Sequence, residues 1–246
     1  MTALLRTERV RKAYGGVQAL DGATVEVAEG SVTGLIGPNG SGKTTLFNVI
    51  TGYERADAGE VFFRGKAITN QRPDKVFAAG IGRTFQLTRI FPRLSVTENM
   101  LVAAQHRRGH RRALELLEFV GLERHAGLPA GSLSYGQRKL LELAYVLVAD
   151  PAVILLDEPA GGVNPTLVNH IAGRIRDLNA EGRTFLIVEH NMEFVMGLCD
   201  TVTVLTSGAV AASGPPKMIR SDRRVLDAYL GADLDDDDTE GTADAS

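Results

Sequence analysis

The chain has 246 residues, 44% of them hydrophobic and 23% charged, enough to bury the core of one large domain or of a domain carrying a lobe. Its net charge is −3, but residues 231–246 hold seven acids and no Lys or Arg, so the remainder is mildly basic at +4. That mild balance does not point to nucleic acid, which would want a strongly basic face. The single cysteine, Cys199, excludes an internal disulfide or a cysteine metal cluster and fits a reducing compartment.

Residues 4–36 alternate and then run apolar, with turn signals at Tyr14-Gly15-Gly16 and Glu29-Gly30. This predicts short strands, the last being a buried one over 31–36. Gly37-Pro38-Asn39-Gly40-Ser41-Gly42-Lys43-Thr44-Thr45 follows, then a helical stretch from Thr44 to Tyr53. Glu60–Phe63 reads as a strand before the turn at Arg64-Gly65, and Gly82–Gln86 as another. The character then changes. Val96–Gln105, Ala113–Val120 and Gly136–Ala149 read as helices inserted into an α/β domain. Ala152–Leu156 is a continuous apolar run ending in Asp157, as in a buried parallel strand. Thr184–Val188 and Val202–Leu205 repeat that pattern, alternating with helices near 165–180 and 191–198. The result is a mainly parallel sheet with helices on both faces, followed by a solvated acidic tail at 231–246 expected to be disordered.

No secretory pattern marks the first residues, and no run approaches the roughly 20 apolar residues that cross a bilayer. The longest candidate, Leu140–Ala149, is broken by Glu142 and stopped by Asp150-Pro151. Any membrane role is expected to come through a partner.

Two features carry chemistry. The loop Gly37–Thr45 matches G-x-x-x-x-G-K-[ST], with a strand before it and a helix after it. Glycines let backbone N–H groups approach phosphate oxygens, and the helix dipole favours their charge. Lys43 would bridge the outer phosphates and the Thr44 hydroxyl would hold Mg2+. A glycine turn that merely caps a helix gives no reason for Lys-Thr at this register. The second feature is Asp157-Glu158 at the carboxyl end of the apolar strand, where ligands gather in parallel sheets. Asp157 is placed to orient Mg2+ and Glu158 to polarise a water attacking the γ-phosphate.

Leu133-Ser134-Tyr135-Gly136-Gln137 opens a helix, and alone it reads as an N-cap serine. Together with the phosphate loop and Asp157-Glu158, it makes the chain resemble the ATP-binding subunits of ABC transporters over about residues 4–230. The resemblance implies an α/β fold: a P-loop NTPase core, an N-terminal antiparallel β subdomain, and an inserted helical subdomain over about 87–150. The ATP-binding domain would then span 1–230. It also implies ATP hydrolysis with ATP and Mg2+.

Residue by residue, Tyr14 resembles the aromatic that stacks on adenine. Gln86 resembles the glutamine that touches Mg2+ and the attacking water and senses the membrane partner. His190, in Val188-Glu189-His190-Asn191, resembles the histidine that contacts the γ-phosphate. Ser134, Tyr135, Gly136 and Gln137 would cap the ATP held by a second subunit, so that two ATP molecules close a dimer. Tyr135 replaces the commoner Gly. Asn164 stands in the loop that crosses to the other subunit, where many members carry Asp. Asn169 and Asn179 read as surface.

Three strings are similar to the subgroup for branched-chain amino-acid uptake and its relatives for amides and urea: Gly82–Pro92, Leu133–Gln137 with its Tyr, and Val188–Met192. Val225–Gly231 is similar as well. This implies an ATPase at the cytoplasmic face of a membrane, working with a second ATP-binding subunit (a like or an unlike one), transmembrane permease subunits and an extracytoplasmic substrate-binding protein, and not with nucleic acid. The apolar residues Phe91, Leu94 and Val96 would help form the permease groove, with ordinary core packing of the lobe as the alternative. The basic cluster Arg107, Arg108, Arg111 and Arg112 reads as a solvated face, with lipid head groups as the alternative. The compact stretch Gln105–Ala113 leaves room for a lipid or lipopolysaccharide exporter. A soluble ABC-type ATPase acting on DNA or ribosomes is disfavoured by the single cassette and the lack of a heptad insertion.

Overall fold

The computed structural model describes residues 3–85, 90–103, 109–222 and 225. In chain order come β1 (Ala3–Tyr14), β2 (Val17–Ala23), β3 (Glu26–Ala28), β4 (Val32–Ile36), α1 (Lys43–Ile50), β5 (Ala58–Phe63), β6 (Lys66–Ala67), α2 (Pro73–Ala79) and β7 (Ile81–Arg83). Then follow α3 (Val96–Ala103), α4 (Gly109–Phe119), α5 (Tyr135–Leu147), β8 (Val153–Asp157), α6 (Pro165–Ala180), β9 (Thr184–Val188), α7 (Met192–Leu198), β10 (Thr201–Thr206), β11 (Ala209–Gly214) and α8 (Pro216–Ser221).

Every residue of β4, β8 and β9 is buried. Strands of that kind need cover on both faces. They lie inside a six-stranded sheet of order β11-β10-β4-β9-β8-β7, parallel throughout except for the β10–β11 pair. Successive side chains point to opposite faces, so β8 divides between two cores. Ile154 and Leu156 join the core built with α3–α7. Val153 and Leu155 join the one built with α1 and the second sheet.

That second sheet is antiparallel, of order β2-β1-β5-β6, with β3 also paired to β1. Where the sequence suggested only short strands, the first is long. β1 runs twelve residues and serves three partners. It does so by register shifts near Val10/Arg11 and Glu8/Arg11 and a left-handed Arg9 (φ 47°). No turn residue marks those bends in the sequence.

Between β7 and β8 the chain inserts α3, α4 and α5, which pack through Met100, Leu116, Leu117 and Leu141. Val96 is 0% exposed and belongs to this core, so it is not a groove residue as expected. Buried Asn99 pins the segment before α3: its Oδ1 accepts from the Phe91 N–H (2.7 Å) and its Nδ2 donates to the Phe91 carbonyl (3.0 Å). Arg111 and Arg112 both pair with Glu115 on the α4 surface (3.0 and 3.6 Å), as a solvated face requires; Arg107 and Arg108 lie outside the described residues. Asn164 caps α6 by accepting from the Leu167 N–H (2.9 Å). Asn179 is not a free surface residue. Its Nδ2 donates to the carbonyls of Gly30 and Arg183 (2.9 and 2.8 Å), tying the end of α6 to the turn before β4. None of the described helices is long and apolar enough to cross a membrane.

Cys199 ends α7 with its thiol buried against β4. A Cβ at Gly34 would meet its Sγ at 3.0 Å. Burial, with Asp200 and Glu189 nearby, pushes the thiol pKa up to about 12. The folded chain should therefore resist a disulfide reagent at mildly alkaline pH, and Cys199 should react only on unfolding. Rapid labelling of the native chain would contradict this packing.

Candidate functional site

The carboxyl ends of β4, β7, β8 and β9 open at one edge of the parallel sheet, where each continues into a residue group singled out in the sequence. After β4 the loop passes Gly37, Gly40 and Gly42 at φ 153°, 73° and 101°. A Cβ at Gly37 would lie 2.1 Å from the Leu205 carbonyl oxygen, and one at Gly42 would lie 2.3 Å from that of Ala19. Glycine is needed there for space as well as for conformation. Lys43 begins α1 and is buried. Its Nζ donates to the carbonyls of Gly37 and Pro38, both at 2.8 Å. Burial lowers its pKa, and the charges of Glu158 and Asp157 partly oppose that. The Ser41 hydroxyl is buried with no hydrogen-bond partner, while Thr44 is exposed at the helix start. The lysine thus spends its donors on the loop's own carbonyls, where phosphate oxygens are better acceptors.

Asp157 ends β8, fully buried, with its N–H donated to Thr84 Oγ1 (3.1 Å). Its Oδ2 accepts from Arg83 (2.9 Å), whose other terminal nitrogen reaches Asn48 Oδ1 and Thr51 Oγ1 on α1 (2.7 and 3.1 Å). The guanidinium also stacks near Phe85 and Phe47. Glu158 follows at φ 50°, and its Oε1 lies 2.9 Å from His190 Nε2. The neighbouring Glu189 is buried and accepts the backbone N–H groups of Ala160, His190 and Asn191 (2.5, 3.0 and 3.2 Å), which fixes the turn that presents His190.

At the start of α5, Ser134 and Gln137 form a reciprocal cap. Ser134 Oγ accepts from the Gln137 N–H (3.3 Å), and the Ser134 N–H donates to Gln137 Oε1 (2.9 Å). Tyr135 is 42% exposed. A Cβ at Gly136 would lie 2.0 Å from Leu167 Cδ2, so α5 and α6 approach closely there. Tyr14 projects from the end of β1, half exposed, with the Lys12 ammonium 5.2 Å from its ring centre. Gln86 lies outside the described residues.

Three residues of this region were not singled out in the sequence: Arg83, Lys139 and Glu142. Lys139 and Glu142 are buried on α5, bonded to the Glu158 carbonyl and the Phe85 N–H (2.5 and 2.7 Å). The available signal was charge inside otherwise apolar runs: Arg83 in a short buried strand, and Glu142 interrupting Leu140–Ala149.

For a cation, Thr44 and Asp157 offer hard oxygens. No group of three or more His, Cys, Asp or Glu that could hold a metal occurs among the described residues. The Thr44 and Asp157 oxygens suit a Mg2+ that would take its other ligands from phosphate and water.

The chain is similar to known proteins. The family model described as ABC transporter matches residues 20–161, and one described as branched-chain amino acid ATP-binding cassette transporter matches residues 209–235. The probable branched-chain amino acid transport ATP-binding protein LivG of Archaeoglobus fulgidus is 38% identical over 93% of this chain and 96% of its own. The high-affinity branched-chain amino acid transport ATP-binding protein BraF of Pseudomonas aeruginosa is 36% identical over 93% and 98%. A solved ATP-binding cassette of an ABC transporter in its ADP conformation gives a TM-score of 0.88 at 38% identity, covering 94% of this chain and 100% of that one. A dimeric post-hydrolysis cassette bound to ADP and phosphate gives 0.78 at 26%, covering 86% and 98%. The chain belongs to the ABC transporter ATP-binding family. It is an ABC-type ATPase.

Replacing Gly42 with Ala forces a side chain into a left-handed residue against the Ala19 carbonyl. We expect a loss of about 1–3 kcal/mol in denaturant unfolding, together with loss of the stabilisation that added ATP gives the native chain. An unchanged midpoint and an unchanged ATP response would show that the loop is looser than its contacts indicate.

Proposed function

We propose that the chain powers a membrane importer for branched-chain amino acids or related small amides, by closing with a second ATP-binding subunit around two ATP molecules and hydrolysing them. The observation that carries the hydrolytic part is the Glu158–His190 pair, 2.9 Å apart, beside the buried Asp157. In this reading Lys43 turns from the Gly37 and Pro38 carbonyls to the outer phosphates, and backbone N–H groups of 39–45 hold the rest. Thr44 and Asp157 would hold a Mg2+, which would neutralise phosphate charge as it develops; Gln86 is assigned to the same ion by resemblance alone. Glu158 polarises the attacking water and His190 orients that carboxylate and meets the γ-phosphate. Tyr14 offers its exposed ring to adenine.

The start of α5 supports the two-subunit reading. Ser134 makes its hydrogen bonds to Gln137 and Arg138, none to the phosphate loop. Its exposed turn is left for a neighbour's nucleotide, where the helix dipole favours a γ-phosphate. The names of the relatives support the cargo, and import with a substrate-binding protein outside the cell belongs to the same proposal. Work at the cytoplasmic face follows from where ATP is.

A cavity of about 480 Å³ supports docking on a permease. It lies between α2, β7 and the inserted helices, lined by Phe77, Phe85, Phe91, Val102 and Tyr145 with Arg83 among them. An apolar groove of this kind takes a short helix of a partner. Phe91, one of the residues expected to face a permease, lines this cavity.

Glu158→Gln should lower kcat by about 10²-fold or more while ATP binding persists, so that ATP alone traps a dimer visible by size-exclusion chromatography. Hydrolysis near the wild-type rate would remove Glu158 from its role. Val102, 51% exposed in the groove and belonging to neither the phosphate loop nor the Asp157-Glu158 turn, tests docking separately. Val102→Asp should abolish leucine uptake by the assembled transporter and spare the ATPase rate of the isolated subunit. Normal uptake would argue against the groove.

A further inference from the structure

Lys139 sits one turn into α5, 8% exposed. Its ammonium donates to the Glu158 carbonyl at 2.5 Å and lies 5.5 Å from the centre of the Tyr135 ring. A buried charge is retained at a cost in desolvation, so the acceptor it is given matters. Here that acceptor belongs to a peptide in an unusual conformation. Glu158 has φ 50°, a region a non-glycine residue keeps only when its surroundings impose it.

The surroundings do so from two sides. The Glu158 N–H donates to the Val188 carbonyl (2.9 Å), which anchors it to β9. The Glu158 carbonyl accepts from Gly161 N–H (3.1 Å) and from Lys139, which anchors it to α5. One turn further along α5, Glu142 accepts the N–H of Phe85, the residue before Gln86 (2.7 Å). Lys139, Glu142 and Asp157 line one small cavity. At the helix start, a Cβ on Gly162 would lie only 3.2 Å from Tyr135 Cε1, so the tyrosine rests on the loop that follows Glu158.

We propose that Lys139 is a positioning residue for Glu158, holding the strained peptide so that the carboxylate points at the attacking water. The same bond makes the start of α5 and the subunit's own hydrolytic group move together. Capture of the neighbour's nucleotide by Ser134 and Gly136 is thereby felt at Glu158 of the same chain. This rests on Glu158 being the group that polarises water.

The test uses the full-length chain with Lys139→Met and Lys139→Arg, each alone and combined with Glu158→Gln. Steady-state ATPase, affinity for a fluorescent ATP analogue and melting temperature are measured for all, and single-turnover rates for the slow variants. Lys139→Met should lower kcat about 10- to 100-fold, as misplacement of a catalytic group does, with KM and analogue affinity unchanged. Lys139→Arg, still a cationic donor, should recover most of kcat. In the Glu158→Gln background, Lys139→Met should cost nothing further, since the group it positions is gone. If Lys139→Met does not melt cooperatively, Lys139→Gln, a neutral donor, replaces it, and its kcat should fall between those of Lys139→Arg and Glu158→Gln.

Wild-type kcat in Lys139→Met would overturn the proposal. So would an equal loss in both backgrounds, a Lys139→Arg chain as slow as Lys139→Met, or a loss confined to KM. In each of those cases an inactive Glu158→Gln leaves the role of Glu158 standing. A Glu158→Gln chain that hydrolyses normally overturns that role itself, and the positioning role with it.

Discussion

The phosphate loop is wedged between two sheets, and that wedge is the constraint on which the site depends. Gly37 lies against the Leu205 carbonyl at the end of β10, and Gly42 against the Ala19 carbonyl of β2. Hydrogen bonds close the same seam. Asp21 N–H donates to the Gly208 carbonyl (2.8 Å), and Gly208 N–H donates to the Ser41 carbonyl (3.0 Å). Neither sheet alone would hold a nine-residue glycine-rich loop in a conformation most side chains refuse. The antiparallel sheet is thus integral to the phosphate loop even though, of the candidate site residues, it carries only Tyr14. Its Leu5, Val10 and Leu20 share a core with Phe47 of α1, so the helix that presents Lys43 and Thr44 is clamped on the side away from the ligand.

Charge at the sheet edge follows a second rule. Lys43, Lys139, Asp157, Glu142 and Glu189 are all buried, as is the Arg83 side chain. Burial of so many ionisable groups costs stability unless each is hydrogen-bonded. Each has a strong partner: carbonyls for the two lysines, backbone N–H groups for Glu142 and Glu189, and the Arg83 fork for Asp157. The arrangement is pre-organised for polyphosphate. In the proposed reading triphosphate would bring acceptors to Lys43, and a cation would add a positive neighbour to Asp157. In electrostatic terms the ligand completes a lattice already present and does not create one.

This also explains what the sequence disclosed and what it withheld. Fixed-spacing chemistry was legible. The loop Gly37–Thr45, the pair Asp157-Glu158 and the turn at His190 follow apolar strands whose limits need no tertiary knowledge, and β9 coincides with the run Thr184–Val188. Lys139 was hidden because a charged residue on a helix reads as solvated, and only the docking of α5 on Glu158 makes it buried. Arg83 lay within a string that resembled the family but gave no sign that its partner would be Asp157, 74 residues away. Val96 and Asn179 were left undecided for the same reason: whether Val96 faces a groove or the core, and whether Asn179 at the surface has partners, depends on contacts distant in sequence. The length of β1 was illegible because bulges, unlike turns, leave no Gly or Pro to mark them.

Tyr135 shows how a local departure is absorbed. Most of the family's pattern has glycine at that place, and a ring there needs room. The room comes from Gly162, where any Cβ would crowd the Tyr135 ring, and from Lys139, whose ammonium lies over the ring face. Tyr135 therefore packs sideways along the loop after Glu158 and leaves the Ser134 and Gly136 backbone open at the helix start. The substitution adds a contact between α5 and that loop without closing the surface that a neighbouring nucleotide would use. In this position the Tyr135 ring therefore depends on residue 162 staying without a side chain. The left-handed conformation of Gly162 (φ 70°) already favours glycine there.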